Sequence, residues 1–380
     1  MAFGFPRSRH TPIAIDFGSD QLKLLQLTAG DSPRIRAAAS EMVPESARLN
    51  GEARRQFLAD ALPRLLKSQP FRGRKAVCSL PALQTLTQHV EIPAGPDEDL
   101  TGRVEMQLRE RLNVEPTRMV VRHFRVGQIV RESGPCQQVL VLAANRDVVM
   151  GYVELARQSK LDIVGMQGEP MALLQAYQQM PGHEPGRTVA LIDIGGSTTK
   201  VVIAQGDKLV FAKKIPAGGD QITREVATQR GLSFADARAA RLAEAGQTRP
   251  DTPAEPAAAP AQVTGIPALD VATSTTAPPA AAPVGEDMLD CLTDELQLCV
   301  RYHQSLFPEH PLEKLVFLGG EARQVEICQR IARSLRTAAQ LGNPLAAIGR
   351  GGKPGAGVDL DQPQPGWAVP LGLSLSEKSV

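Results

Sequence analysis

Ala190-Leu-Ile-Asp193-Ile-Gly195-Gly196-Ser197-Thr198-Thr199-Lys200-Val-Val-Ile is the stretch that decides the fold of this 380-residue chain. An apolar run ends in an acid, a tight glycine-bearing turn follows, and a second apolar run leaves it. The chain has already used this device at Ile13-Ala-Ile-Asp16-Phe-Gly18-Ser19-Asp20-Gln-Leu-Lys23-Leu-Leu. Both stretches read as β-hairpins with the same chemistry at the tip. A Gly-Ser or Gly-Gly-Ser-Thr turn brings backbone N–H groups close to a phosphate, because no side chain blocks the approach. An Asp at the strand end suits Mg²⁺, usually through water. One such hairpin is a weak signal. Two, one in each half of the chain, point to two related lobes closing on one nucleotide.

Composition narrows the class. A chain of 380 residues implies two or more domains. Hydrophobic residues make up 42% and aromatics only 4%, so the cores must rest on Leu, Val, Ile and Ala. The formal net charge of +1 gives no overall field that would favour nucleic acid. The cysteines at 78, 136, 291, 299 and 328 show no C-x-x-C spacing, which argues against a zinc site or a disulfide framework and fits a reducing compartment. No apolar run approaches the roughly 20 residues that span a bilayer, and the N-terminus lacks the apolar stretch of a signal peptide. A cytoplasmic protein is expected, in contact with a membrane only through a partner.

The order of elements predicts an α/β fold of two lobes. Residues 11–82 and 162–185 are expected to form the first-lobe core, with a helix near Glu52–Leu66 and a strand at Lys75–Ser79. Residues 83–161 read as an inserted α+β subdomain in strand-helix-strand-strand-helix order, its first helix running from Asp97 to Leu112. Residues 186–214 and 312–376 are expected to make the second-lobe core. Residues 215–311 form a second-lobe subdomain, with a helix from Thr223 to Gln229 and another capped by Ser233. Within it, 247–286 is rich in Pro, Ala and Thr and reads as a disordered linker, because it cannot bury enough surface to offset its ordering entropy. The histidines show no metal spacing and are expected at the surface.

These motifs resemble the actin-like (ribonuclease H-like) ATPase superfamily and, within it, the PilM family of type IV pilus assembly proteins. Asp16 to Lys23, with Gly18, Ser19 and Asp20, looks like the first phosphate loop, and the acid-to-lysine spacing is that of actin. Asp193 to Thr198, with Gly195, Gly196 and Ser197, looks like the second. Gly319-Gly320-Glu321 resembles the adenosine motif, and Gly218-Gly219-Asp220 the turn lying near ribose and phosphates. The resemblance implies ATP in the cleft, with Mg²⁺ held by Asp16 and Asp193 through water. Glu169 starts a connecting helix that in MreB-type actins carries the glutamate positioning the attacking water. A dipole-favoured acid at a helix start is the plainer reading of the same residue. Ser-Leu-Pro81, Val-Glu-Ile-Pro93 and Asn343-Pro344 are similar to PilM, as are the N-terminal Phe-Gly-Phe and the place of the insert.

The resemblance to PilM implies a cytoplasmic scaffold, peripheral to the inner membrane, that docks the N-terminal tail of a PilN-type inner-membrane protein by the inserted subdomain. Other pilus assembly proteins, a homodimer and a type II secretion variant remain open, as do two other classes. One is an actin-fold small-molecule kinase, for which no catalytic Asp stands out. The other is a membrane-associated filament protein like FtsA, for which Leu371–Val380 is too short and polar an anchor. The chain also departs from the pattern. Asp20 puts an acid in the first phosphate loop, where it either repels phosphate or helps hold the metal. Arg238 and Arg241 stand where nucleotide-contacting acid/lysine pairs are common. Slow or absent ATP turnover is therefore expected.

Overall fold

β1 (Ile13–Phe17) and β2 (Gln21–Leu27) form the first expected hairpin, with Asp16 opposite Lys23. β3 (Arg34–Met42) extends the meander on β2. After the short α1 (Glu45–Leu49), Asn50 caps α2 (Gly51–Ser68) by accepting from the Glu52 and Ala53 amides. Leu58, Ala61, Leu62 and Leu65 lie on one face of α2 and are buried in a core with Ile15, Phe17 and Leu24. This crossover lets β4 (Lys75–Ser79) run parallel to β1. The computed structural model describes residues 10–94, 99–112, 115–132, 134–247, 268–269, 286–350 and 358–376.

An excursion separates β4 from its next neighbour. It comprises β5 (Thr85–Pro93), α3 (Leu100–Leu112), β6 (Met119–Arg131), β7 (Gly134–Asn145) and α4 (Arg146–Gln158). Its strands pair antiparallel in the order β5-β7-β6. Val90, Ile92, Val139 and Val141 meet Val104 and Leu108 of α3 in a small core of their own. The described helix starts at Leu100, and Asp97 lies outside the described residues. β8 (Asp162–Gln167) then returns parallel to β4.

The second half repeats the plan. α5 (Glu169–Gln178), with Pro170 in its first turn, leads to β9 (Thr188–Ile194), β10 (Thr199–Gln205) and β11 (Lys208–Ile215). Asp193 lies opposite Lys200, as Asp16 lies opposite Lys23. α6 (Gly219–Arg230) starts at Gly219 rather than Thr223, because Gly218 and Gly219 fold into the helix entry instead of a free turn. Ser233 accepts from the Asp236 amide and caps α7 (Phe234–Gln247) as its spacing predicts. There follow β12 (Ala268–Leu269), α8 (Glu286–Leu306), β13 (Lys314–Leu318), α9 (Val325–Leu335), β14 (Ala339–Leu341), β15 (Gly349–Arg350) and α10 (Ala368–Leu375). β13 runs parallel to β9, and β14 parallel to β13. Among the described residues the two large sheets run β15-β3-β2-β1-β4-β8 and β11-β10-β9-β13-β14-β12. The linker expected over 247–286 and the N-terminal Phe-Gly-Phe lie outside the described residues, apart from the linker's two ends and residues 268–269. Those two residues pair with Gln340 and Ala339. α5 and α10 carry one core from the first sheet to the second, through Leu25, Leu173, Leu371, Leu191 and Val202.

The histidines correct an expectation. His303 is 1% exposed on α8. His89 on β5 stacks on Phe211 of β11 with centroids 4.9 Å apart and meets Tyr302 of α8 edge-on. Its Nε2 accepts from the Ala212 amide at 3.3 Å, which ties the inserted subdomain to the second lobe. Burial pushes the His89 pKa down to about 4. The folded state therefore binds fewer protons than the unfolded state between pH 6.5 and 4, and stability present above pH 6.5 is lost as pH falls through that window. The full shift would be about 3 kcal/mol; with some solvent reaching the ring, about 2 kcal/mol is expected. Denaturation curves from pH 7 to 4 check this, and His89→Gln, which keeps an acceptor but does not titrate, should flatten that part of the profile.

Candidate functional site

The tips of the two hairpins face each other. In the first, Asp16 is 5% exposed and accepts from the Ser79 hydroxyl at 3.1 Å. Gly18 is required there: a Cβ would lie 2.7 Å from the Gln21 carbonyl oxygen. Arg54 of α2 fixes the loop from behind, donating to the carbonyls of Phe17, Gly18 and Ser19 at 2.8–3.1 Å. Lys23 donates to the Gly366 carbonyl at 2.7 Å.

In the second hairpin, the Gly195 amide donates to the Thr198 carbonyl at 3.0 Å. The start of α6 closes onto this loop. Gly219 N–H donates to Gly195 O and Asp220 N–H to Gly196 O, and the Ser197 hydroxyl donates to the Asp220 carboxylate at 3.0 Å. A Cβ on Gly218 would lie 2.5 Å from both loop carbonyls. Gly319 adopts φ 89°, beside the Asp193 carboxylate.

Ion pairs tie the walls together. Arg48 of α1 meets Asp220 at 2.8 Å, each side chain 6% exposed, and Arg48 also lies over the Phe234 ring. Arg238 of α7 meets Asp20 at 2.9 Å. Arg241, one turn on, pairs with Glu321. Burial raises the Asp20 pKa, but Lys23, Arg238 and Arg48 outweigh it and hold the carboxyl below its ordinary value. Asp20 therefore serves as the first lobe's anchor for a second-lobe arginine. The cavity left between the hairpins is about 40 Å³, room for a few waters.

Asp16, Gly18, Ser19, Asp20, Lys23, Glu169, Asp193, Gly195, Thr198, Gly319 and Gly320 all line that cavity. The other expected residues back it from behind: Gly196, Ser197, Gly218, Gly219 and Asp220 brace the second loop, and Glu321 binds Arg241. Sequence reasoning assigned no role to Lys200, although the same interval separates Asp16 from Lys23 and Asp193 from Lys200. Its ammonium lies 2.6 Å from Asp193 Oδ2 and 3.8 Å from Glu169 Oε2. Burial opposes its charge, yet Asp193 and Glu169 prevail and its pKa is raised. Burial likewise raises Asp16, against Lys23 and Lys200, and pushes Glu169 up to about 7.

This donor set decides what the cleft can hold. Two glycine turns and two ammonium groups suit a polyphosphate, once the lobes part to make room. The Mg²⁺ expected between Asp16 and Asp193 does not fit the residues as they stand. Lys200 already takes the cation position, its ammonium 2.6 Å from Asp193 Oδ2. Among the described residues, no three His, Cys, Asp or Glu side chains gather into a metal-binding group.

Known proteins share this arrangement. A solved PilM–PilN type IV pilus biogenesis complex matches at TM-score 0.75 with 22% identity, over 97% of this chain and 98% of the other. The ethanolamine utilization protein EutJ from Carboxydothermus hydrogenoformans is 12% identical over 96% of this chain and 89% of its own, at TM-score 0.49. MreB5 of Spiroplasma citri, bound to ADP, is 12% identical over 98% of each chain, at TM-score 0.47. The fold is that of the actin-like ATPases. The family model of the cell division protein FtsA matches residues 190–354, which covers the second hairpin and the Gly319-Gly320 turn. The model of the type IV pilus assembly protein PilM matches residues 14–249, taking in both hairpins, the inserted sheet between them and both arginines of α7. By that match over more than half its length, this chain is a member of the PilM family of type IV pilus assembly proteins.

Proposed function

We propose that this protein is a cytoplasmic scaffold of type IV pilus assembly that docks the N-terminal tail of a PilN-type inner-membrane protein. ATP enters the cleft between its lobes and is turned over slowly or not at all. The observation that carries the docking role is a groove of about 610 Å³ between α2 and α4, where the inserted subdomain joins the first sheet. Leu58, Ala59, Val148, Tyr152 and Leu155 give it an apolar floor, and Glu52, Arg55 and Asp147 stand among its lining residues. Such a trough suits an extended segment with a few apolar anchors. A relative of the same family was solved in a PilM–PilN complex, which supports the choice of partner. No described helix is long and apolar enough to cross a membrane, in keeping with attachment through a partner.

The nucleotide part rests on the cavity lining. Backbone of Gly18–Asp20 and Gly195–Thr198, with Lys23 and Lys200, would hold phosphates, and Gly319-Gly320 would lie against the base. With about 40 Å³ between the hairpins, entry requires the Arg48–Asp220 and Arg238–Asp20 pairs to yield.

Gly151 supplies a clean test. It lines the groove, and a Cβ there would meet nothing within 4 Å. Gly151→Phe should fill the groove while leaving the core intact. Fluorescence anisotropy with a labelled peptide of the PilN tail should show binding to the wild type and a loss of about tenfold or more in the variant, at unchanged melting temperature. Equal binding by Gly151→Phe, or none by the wild type, would sink the docking reading.

A further inference from the structure

We infer that Lys200 supplies the cation for a phosphate chain in this cleft, so that the site takes its nucleoside polyphosphate without a divalent metal. The inference rests on the nucleotide reading of the cleft and adds to it the metal requirement.

The two hairpins place one lysine each at equivalent registers, Lys23 opposite Asp16 and Lys200 opposite Asp193. The lysines flank the cavity from opposite lobes. Lys23 is held from one side by the Gly366 carbonyl. Lys200 lies beneath the second glycine turn: a Cβ on Gly195 would be 3.7 Å from its Nζ. A phosphate seated on that turn therefore meets the ammonium directly.

Asp193 is committed to a cation, and Asp16 in part to a hydroxyl. Asp193 Oδ2 holds the ammonium at 2.6 Å, and Asp16 Oδ1 accepts from Ser79 at 3.1 Å. A divalent ion needs several oxygen ligands in near-octahedral array, and one already shared with a buried ammonium is a poor first ligand. Glu169 Oε2 is buried with no hydrogen-bond donor and faces Lys200 at 3.8 Å, as a counter-charge and not as a ligand. Asp16, Asp193 and Glu169 are each 5% exposed, so Asp193 and Glu169 depend on the Lys200 ammonium for a counter-charge. A lysine ammonium binds phosphate as a compact point charge, which is the task a metal would otherwise perform.

Titration calorimetry of the full chain with ADP and with a non-hydrolysable ATP analogue, in excess Mg²⁺ and in EDTA, tests this. The expected result is binding in EDTA within about threefold of that in Mg²⁺. Lys200→Met should weaken metal-free binding by at least about thirtyfold and make the remainder respond to Mg²⁺. Lys200→Arg should retain metal-free binding. Should Lys200→Met fail to fold, the wild-type pair of titrations decides alone. Binding that appears only with Mg²⁺ overturns the inference and leaves the nucleotide reading standing. Absence of binding under both conditions overturns both.

Discussion

Gly372→Ala is expected to destabilise the protein by about 3 kcal/mol, the upper end of what overpacking a core typically costs. α10 is buried from Ala368 to Ser374, and α5 crosses it at closest approach. A methyl group on Gly372 would overlap the carbonyl group of Ala172 on α5. The obstacle is backbone, so no side chain can rotate away. The helices must separate, and Leu173 and Leu371 of the shared core separate with them. Alanine's helix propensity, about 1 kcal/mol better than glycine's, opposes this and is too small to win. Gly151→Ala on α4 is the matched control. It faces open space and should stabilise by about 1 kcal/mol. Chemical denaturation of the two variants should therefore move in opposite directions, and a neutral Gly372→Ala would disprove the close crossing. The cleft should suffer as well, since α5 begins at Glu169 and α10 at Ala368, both on its wall.

The same helix shows where local sequence signals stop. Pro370 and Gly372 argue against a helix, and the segment reads only as packed. It is helical because Pro370 falls in the first turn, where its missing N–H is not needed, and because a glycine is what lets α5 approach. The hairpins were legible because their chemistry is local: acid, glycine turn and apolar runs lie within a few residues of one another. Lys200 was in plain view, and comparison of the two acid-to-lysine intervals could have picked it out. Arg48, Arg54 and the partners of Arg238 and Arg241 were not legible, since each contact joins distant parts of the chain. His89 and His303 show the same limit. A lone histidine carries no mark of the side it faces, and the packing of β5 and α8 on β11 and its neighbours buries His303 and half-buries His89.

Arg241→Met should cost about 3–5 kcal/mol, because it strips the counter-charge from a buried carboxylate. Arg241 and Glu321 are 6% and 4% exposed at their side chains, and Gly219 packs so closely on Glu321 that a Cβ there would strike its carboxylate. Glu321 would keep the Gln324 amide, which donates at 3.1 Å. Burial already raises the Glu321 pKa although Arg241 pulls it down, so removal of Arg241 must raise it further. An acid with a raised folded-state pKa holds a proton that the unfolded chain gives up, and stability then falls as pH rises. The deficit of Arg241→Met should thus be larger at pH 8 than at pH 5, and adding Glu321→Gln should recover much of the loss at pH 8. A deficit equal at both values would mean that the arginine acts only by filling space. The consequence reaches the cleft, because α7 holds Asp20 of the first lobe through Arg238 and the Gly319-Gly320 turn of the second through Arg241. With Arg241 gone, α7 loses an anchor on the second lobe, and the Arg238–Asp20 bridge to the first lobe should loosen with it.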